Sequence, residues 1–182
     1  MKRAIVTPPI IPAAALGELK GWLAISSTKD DAPLRALLST ALDMFEAFTG
    51  QIPLHCMCRE ILPACGEWQD LATRPVEAIV EAEGMVVGGQ PFGLAGDAYE
   101  LDLGSDGGGR VRILDAGIAD RVGVYFHAGM ASEWDLLPDA VRHGIIRFAA
   151  HQYRQRDDTS ANLAPPAAVA ALWRPWRRMR LA

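Results

Sequence analysis

The sequence predicts an α+β protein that is predominantly α-helical: an antiparallel helical bundle with a small antiparallel β-sheet or hairpin insertion and an extended C-terminal arm. Residues 34–49 and 138–156 repeat apolar side chains at helical spacing, as the core-facing side of a helix does. The stretch between these segments alternates apolar and polar residues in short runs between glycine-rich turns, which is typical of antiparallel strands. Half of the 182 residues are apolar and 22% are charged, so the chain can bury a core.

The N-terminal part is expected to be helical after a short extended segment. Three prolines between positions 8 and 12 predict the extended lead-in, and a short helix follows from Ala13. The second helix, at 34–49, is the clearest element of the chain, and Gly50 stands where a left-handed C-terminal cap belongs.

The middle of the chain is expected to form a small antiparallel sheet. Its candidate strands are 51–62, 76–83, 99–103, 110–114 and 122–127. No segment long enough for a crossover helix separates them, so neighbouring strands are expected to run antiparallel. On the first strand, Cys56, Cys58 and Glu60 would share one face and His55 would point to the other.

The domain organisation follows from the need of each amphipathic helix to bury its apolar side. We therefore expect residues 1–163 to form a single helical-bundle domain with the β insertion at about 51–130. Residues 164–182, beyond a polar linker and two prolines, are expected to form the C-terminal arm. The two tryptophans in the last ten residues are expected to lie outside the domain core.

The arm combines the residue types that are enriched at binding hot spots. The residues expected to make contact are Trp173, Arg174, Trp176, Arg177, Arg178, Met179 and Arg180. Three interpretations stay open: docking on another protein, contact with nucleic acid through arginine–phosphate pairs, and packing of the tail on its own domain.

No motif indicates an enzyme or a cofactor. The glycine-rich runs match neither the P-loop nor the dinucleotide-binding pattern, and no nucleophile elbow is present. His55, Cys56, Cys58 and Cys65 are the residue types that bind zinc, but their spacing differs from that of the common zinc knuckles. We predict no catalytic residue, no cofactor and no metal, and a Cys–His metal module remains an alternative that metal analysis would test.

The chain is also expected to be a soluble protein made inside the cell. Its apolar runs are far shorter than the roughly 18 residues that a membrane span needs. The start, MKRAIVTPPIIPAAA, is too short and too rich in proline for a secretory signal. Three cysteines do not make a disulfide scaffold.

Five short motifs follow one another along the chain. They are Leu-x-Glu-x-Lys-x-x-Leu from Leu16, Glu-x-x-Thr-Gly ending at Gly50, Phe-x-Ala-Gly ending at Gly129, Leu-Pro at Leu137 opening a helix that ends in His-x-Tyr-x-x-Arg at Arg156, and Pro-Trp-Arg-x-x-Arg-Leu ending at Leu181. In this order they resemble the head–tail connector (adaptor) proteins of long-tailed phages and phage-like gene transfer agents. One departure is Met130, where the family usually has an aromatic residue.

The resemblance implies a structural virion protein of the neck, assembled in the bacterial cytoplasm without a membrane. Such proteins form a ring, generally of twelve copies, between the portal above and a tail-side connector, stopper or tail terminator protein below. DNA would pass through the lumen without sequence-specific binding, and the C-terminal arm would bind the portal. The alternative function is a small DNA-binding module that uses the arginine- and tryptophan-rich arm.

A ring requires contact between two different patches of the same chain. Residues 65–137 carry thirteen Asp/Glu and four Lys/Arg, whereas residues 138–182 carry eight arginines and three carboxylates. Complementary charge therefore predicts the inter-subunit residues Arg142, Arg147, Arg154, Asp97, Glu100 and Asp102.

Overall fold

The structure is a computed structural model that describes residues 2–156 and 164–178. The chain divides into two compact units. The described residues up to Pro9 and His55–Gly129 form the first, which we call the β unit. Ile10–Leu54 and the described residues from Met130 onward form the second, which we call the helical unit.

The β unit contains two antiparallel sheets. Its strands are β1 (Lys2–Thr7), β2 (Cys56–Pro63), β3 (Gln69–Asp70), β4 (Val76–Met85), β5 (Phe92–Gly93), β6 (Tyr99–Leu103), β7 (Gly109–Ile113) and β8 (Arg121–Ala128). The first sheet has the strand order β1-β2-β8-β4-β5, and the second has the order β3-β7-β6. Every pair of neighbouring strands is antiparallel, as the short connections between them require.

The two sheets pack face to face. On β2 the side chains alternate between buried and half-buried, so Cys58 and Leu62 point into the unit while Arg59 points away. A Cβ atom at Gly109 of β7 would lie 3.0 Å from Leu71 and 3.2 Å from Val76 of β4. Glycine at position 109 therefore allows the second sheet to approach the first.

The helical unit contains four α-helices: α1 (Ala13–Leu23), α2 (Asp31–Thr49), α3 (Asp139–Arg154) and α4 (Ala167–Trp173). Single 3₁₀ turns lie at Trp134–Leu136 and Arg174–Trp176. Gly50 caps α2 with a φ of 75°, and its N–H donates to the Glu46 carbonyl at 2.7 Å. The predicted helices over 34–49 and 138–156 and the glycine cap are confirmed.

One apolar core fills the helical unit. The fully buried side chains of α2 and α3, with the tryptophan that ends α4, form its centre: Leu34, Phe45, Val141, Ile145, Phe148 and Trp173. Leu16 and Leu19 of α1 close one side of this core. None of the helices in the described part of the chain is long and apolar enough to span a membrane.

The prediction of a predominantly helical bundle is wrong. Two antiparallel sheets, of five and three strands, accompany the four helices, and in the described residues the strands contain nearly as many residues as the helices. The predicted strands and the hairpin at 105–109 are present, but the first predicted strand begins at Cys56 and not at position 51. Strand β1 was not predicted from the sequence; it follows the initial methionine and pairs with β2 along most of its length.

Candidate interaction sites

The C-terminal segment begins inside the core of the helical unit. The Trp173 indole has no exposed surface and lies edge-on to the Phe45 ring, with the ring centroids 5.4 Å apart. The Phe148 ring lies 6.0 Å away on another side. The indole Nε1–H donates to the Val141 carbonyl at 3.4 Å, so the one polar group of this side chain has a partner.

The expectation that both tryptophans lie outside the core is wrong, because Trp173 belongs to the core and the half-buried Trp176 packs against it. Space for the Trp173 ring comes from α3, where Gly144 faces the indole so closely that a Cβ atom at that position would overlap it. A glycine in the middle of a helix costs about 0.5–1 kcal/mol relative to alanine. Burial of a whole indole outweighs this cost, because burying a large apolar side chain contributes about 1.5–3 kcal/mol.

The residues after Trp173 remain attached to the end of α2. Gln51 donates its side-chain N–H to the Trp176 carbonyl at 2.5 Å, and the Arg178 backbone N–H donates to the Thr49 carbonyl at 3.1 Å. The Arg177 guanidinium lies 5.4 Å from the centre of the Phe48 ring. These contacts hold residues 176–178 against the C-terminal end of α2.

Two of the predicted arm residues, Arg174 and Arg177, are exposed. Trp176 and Arg178 are half-buried. Met179 and Arg180 lie outside the described residues. The structure therefore places a small basic surface, formed by Arg174 and Arg177, where the described chain ends.

The predicted inter-subunit arginines of α3 differ in their surroundings. Arg142 contacts three carboxylates of its own chain: Asp139 at 3.0 Å, Asp135 at 3.5 Å and Glu18 at 3.8 Å. Arg147 is half-buried, and Arg154 is exposed. Of the three, Arg154 presents its charge most openly.

The predicted inter-subunit carboxylates lie on or next to β6, and Asp97 is exposed in the turn before that strand. Across the outward face of the second sheet, Asp102 pairs with Arg110, and Glu100 lies 3.6 Å from Arg112. The hydrogen bond and the charge of Asp102 raise the pKa of Arg110, which also lies over the Trp68 ring at 5.5 Å.

The cysteine- and histidine-containing segment does not gather ligands for a metal. Cys56 and Cys58 are buried with their sulfurs 3.5 Å apart, while His55 Nδ1 lies 3.1 Å from a Glu77 oxygen. Within residues 2–156 and 164–178, no group of three or more His, Cys, Asp or Glu side chains is arranged to hold a metal ion.

Two polar arrangements of the β unit are not indicated by the predicted site residues. On the outward face of the first sheet, Glu83 pairs with Arg59 and accepts a hydrogen bond from the Tyr125 hydroxyl at 3.1 Å. Burial, followed by the hydrogen bond to Glu83, raises the pKa of Tyr125. Each residue stands on a different strand, so no local spacing in the sequence indicates the cluster.

The second missed arrangement is the buried carboxylate of Glu60, which has no exposed surface. It accepts hydrogen bonds from the Ala72 N–H at 2.9 Å, the Thr73 N–H at 2.8 Å and the Thr73 hydroxyl at 2.5 Å. These bonds satisfy the buried charge and fasten the loop after β3 to β2. The alternation of β2 places Glu60 on the buried face. This alternation is the sequence feature from which the burial of Glu60 could have been predicted.

The comparisons with known proteins identify similar structures but no family. No protein-family model and no curated protein matches the chain. The neck of an empty GTA particle computed with C6 symmetry matches with a TM-score of 0.78 and 26% identity. The virion of a native gene transfer agent (GTA) particle matches with a TM-score of 0.76 and 26% identity. The neck of a native GTA particle computed with C12 symmetry matches with a TM-score of 0.75 and 27% identity.

Each of these matches covers 100% of this chain and 98% of the other chain. The similarity therefore includes the β unit and the helical unit together. The chain is similar over its whole length to structural components of GTA particles, two of which come from symmetric reconstructions of the neck.

Proposed function

We propose that this chain is a head–tail connector (adaptor) protein that forms a ring in the neck of a phage or gene transfer agent. The observation that carries the proposal is the whole-chain similarity to proteins in GTA necks that were reconstructed with C6 and C12 symmetry. Symmetric neck assemblies support self-association into a ring, and we propose a dodecamer. The ring joins the portal above to a tail-side connector, stopper or tail terminator below, and DNA passes through its lumen.

The proposed contact with the portal is the basic surface at the end of the described chain. Arg174 and Arg177 are exposed there, and their planar guanidinium groups suit paired hydrogen bonds to portal carboxylates or backbone carbonyls. Trp176, Arg178, Met179 and Arg180 extend this proposed contact. Trp173 stabilises the segment that carries these residues, because its buried ring packs against Phe45 of α2 and Phe148 of α3.

The proposed contacts between neighbouring copies join surfaces of opposite charge. Three of the predicted inter-subunit residues make no ion pair with their own chain among the described residues. They are Arg147 and Arg154 of α3 and Asp97 in the β unit. Arg142, Glu100 and Asp102 make ion pairs within their own chain, so they contribute less new charge to an interface.

The proposal is tested by mixing the purified chain with a portal protein from the same genome and measuring the mass of the products. We expect the wild-type chain to join the portal as a ring. The Arg174→Glu/Arg177→Glu variant should lose that association and remain folded, because both side chains are exposed. Arg35→Glu, an exposed charge reversal on α2, is the matched control and should still bind.

The same preparation tests the DNA-binding alternative. A connector whose chain carries a net charge of −4 should bind duplex DNA weakly. Tight binding to duplex DNA that falls steeply with salt, together with no association with the portal, would reject the connector and favour the DNA-binding module.

A further inference from the structure

The short segment that follows Trp173 is held at both of its ends. At its start, the Trp173 ring has no exposed surface and packs against α2 and α3. At its end, Gln51 donates its side-chain N–H to the Trp176 carbonyl at 2.5 Å, and the Arg178 backbone N–H donates to the Thr49 carbonyl at 3.1 Å. The few residues between these anchors are therefore attached on both sides to the helical unit.

The backbone of this segment is also restrained from within. Arg174–Trp176 forms a single 3₁₀ turn, and the ring of Pro175 restricts φ inside it. The Arg177 backbone N–H donates to the Arg174 carbonyl at 3.1 Å and closes the turn. The two exposed arginines, at the first position of the turn and directly after it, therefore project from a defined backbone.

The side chain of Arg177 has a support of its own. Its guanidinium group lies 5.4 Å from the centre of the Phe48 ring, and that ring lies 6.1 Å from the ring of Trp173. A planar guanidinium that lies over an aromatic ring has fewer rotamers to lose on binding and presents N–H groups along its edge. This arrangement suits paired hydrogen bonds to a carboxylate.

The cap of α2 determines where the Gln51 side chain begins. Gly50 ends the helix with a φ of 75°. The Gln51 backbone N–H then donates to the Thr49 hydroxyl at 3.2 Å, and this buried hydroxyl donates to the Phe45 carbonyl at 2.7 Å. The main chain of Gln51 is thus restrained by the helix cap, which leaves its side-chain amide to hold the C-terminal segment.

We infer that Gln51 is a positioning residue for the basic surface formed by Arg174 and Arg177, a role that rests on the proposed function of this surface. Its hydrogen bond to the Trp176 carbonyl holds both guanidinium groups in the arrangement that binds portal carboxylates. A surface that is ordered before binding loses less conformational freedom when the partner arrives. Loss of this one bond therefore weakens the binding of the portal while the apolar core of the helical unit keeps the chain folded.

The inference is tested with Gln51→Met, which removes the donor and keeps a side chain of similar length. The affinity for a portal protein from the same genome should fall about threefold to tenfold, as expected when one rotamer-rich side chain is no longer ordered before binding. In the free chain, the Arg178 amide should exchange its hydrogen faster than in wild type, because its bond to the Thr49 carbonyl is no longer supported.

Gln69→Met is the matched control. Gln69 makes the same kind of hydrogen bond, from its side-chain N–H to the Pro63 carbonyl at 3.0 Å, but it does so in the β unit. This variant should bind the portal like wild type. Both glutamine variants should unfold at similar urea concentrations, since each loses one side-chain hydrogen bond that water can replace.

A double-mutant cycle separates positioning from a merely structural role. If Gln51 acts through the basic surface, Gln51→Met should reduce portal affinity less in an Arg177→Ala chain than in the wild-type chain. The combined loss is then smaller than the product of the two single fold-changes. Losses that multiply in full would mean that Gln51 does not act through Arg177, and they would contradict the inference.

The remaining outcomes distinguish the inference from the proposed function. If Gln51→Met binds the portal like wild type while Arg174→Glu/Arg177→Glu does not bind, the positioning role is wrong and the connector stands. Unchanged hydrogen exchange at Arg178 in the Gln51→Met chain would also reject the positioning role. If the wild-type chain does not associate with the portal, the proposed function is wrong and the role of Gln51 falls with it.

Discussion

Gly144 of α3 packs directly against the indole ring of Trp173. A Cβ atom at position 144 would overlap the indole, and the ring itself has no exposed surface. The glycine of α3 therefore makes room for the tryptophan that ends α4. The segment that was expected to be a free arm begins as part of the core.

Gly144→Ala should destabilise the protein, although alanine is the better helix former. Overpacking a well-filled core costs about 1–3 kcal/mol, which outweighs the gain of about 0.5–1 kcal/mol from replacing glycine in a helix. Gly21→Ala in α1 is the matched control, because a Cβ atom there meets nothing within 4 Å. Urea unfolding of both variants measures the difference. Equal stability of the two variants would contradict the packing of Trp173 against Gly144.

Phe45→Ala and Phe148→Ala should each reduce the free energy of unfolding by about 3–5 kcal/mol, because both rings are fully buried in the helical unit. The control is Trp22→Ala, a change of similar size at a side chain that is 44% exposed, and it should cost clearly less. Thermal and chemical unfolding report the loss. Near-unchanged stability of both phenylalanine variants would reject this core.

Two truncations separate the core part of the C-terminal segment from the residues beyond it. A chain that ends at Leu172 loses Trp173 and should unfold at a lower denaturant concentration than wild type, with a loss of about 3–5 kcal/mol. A chain that ends at Arg178 keeps every described contact of the segment and should match wild type. Equal stability of the two truncated chains would show that Trp173 does not belong to the core.

Glu60→Gln should destabilise the β unit. The carboxylate accepts three hydrogen bonds, whereas an amide offers one acceptor oxygen and turns an N–H group toward other donors. Leaving a buried donor unsatisfied costs about 1–3 kcal/mol. Glu81→Gln, on the exposed part of β4, should leave the stability unchanged. A Glu60→Gln protein as stable as the Glu81→Gln protein would mean that the loop after β3 does not depend on this carboxylate.

Local patterns in the sequence predict the helices well. The apolar residues of α2 and α3 recur every three or four positions, and their buried members, such as Phe45 and Phe148, are those that the pattern selects. Gly50 ends α2 with positive φ, as a glycine cap should. These features depend on neighbours within a few residues, so they can be predicted from local sequence.

The missed parts depend on distant residues. The edge strand β1 acquires its partner more than fifty positions later, at Lys2 opposite Ile61. Register shifts between Val76 and Ala78 and between Ile79 and Glu81 interrupt the alternation of β4, so a pattern search underestimates its length. These non-local pairings explain why the share of helix was overestimated.

The candidate sites also combine features that local sequence predicts with features that depend on distant residues. Arginine and tryptophan in the last residues predict a surface that binds a partner, and this binding stays a prediction; Arg174 and Arg177 are exposed. The burial of Trp173 depends on Gly144, a glycine inside a strong helix, and such a glycine was the one available sign of a close approach. The position of β1 at the edge of the first sheet follows from the strand order, which local sequence patterns do not predict.

The central claim is that this chain builds a ring in the neck of a particle. The most direct measurement is the mass of the purified full-length chain, alone and with its portal, over a range of concentrations, with electron microscopy of the largest species. The account predicts closed rings, about twelve copies around the portal. A chain that stays monomeric under all of these conditions, or that assembles only on duplex DNA in low salt, would contradict it.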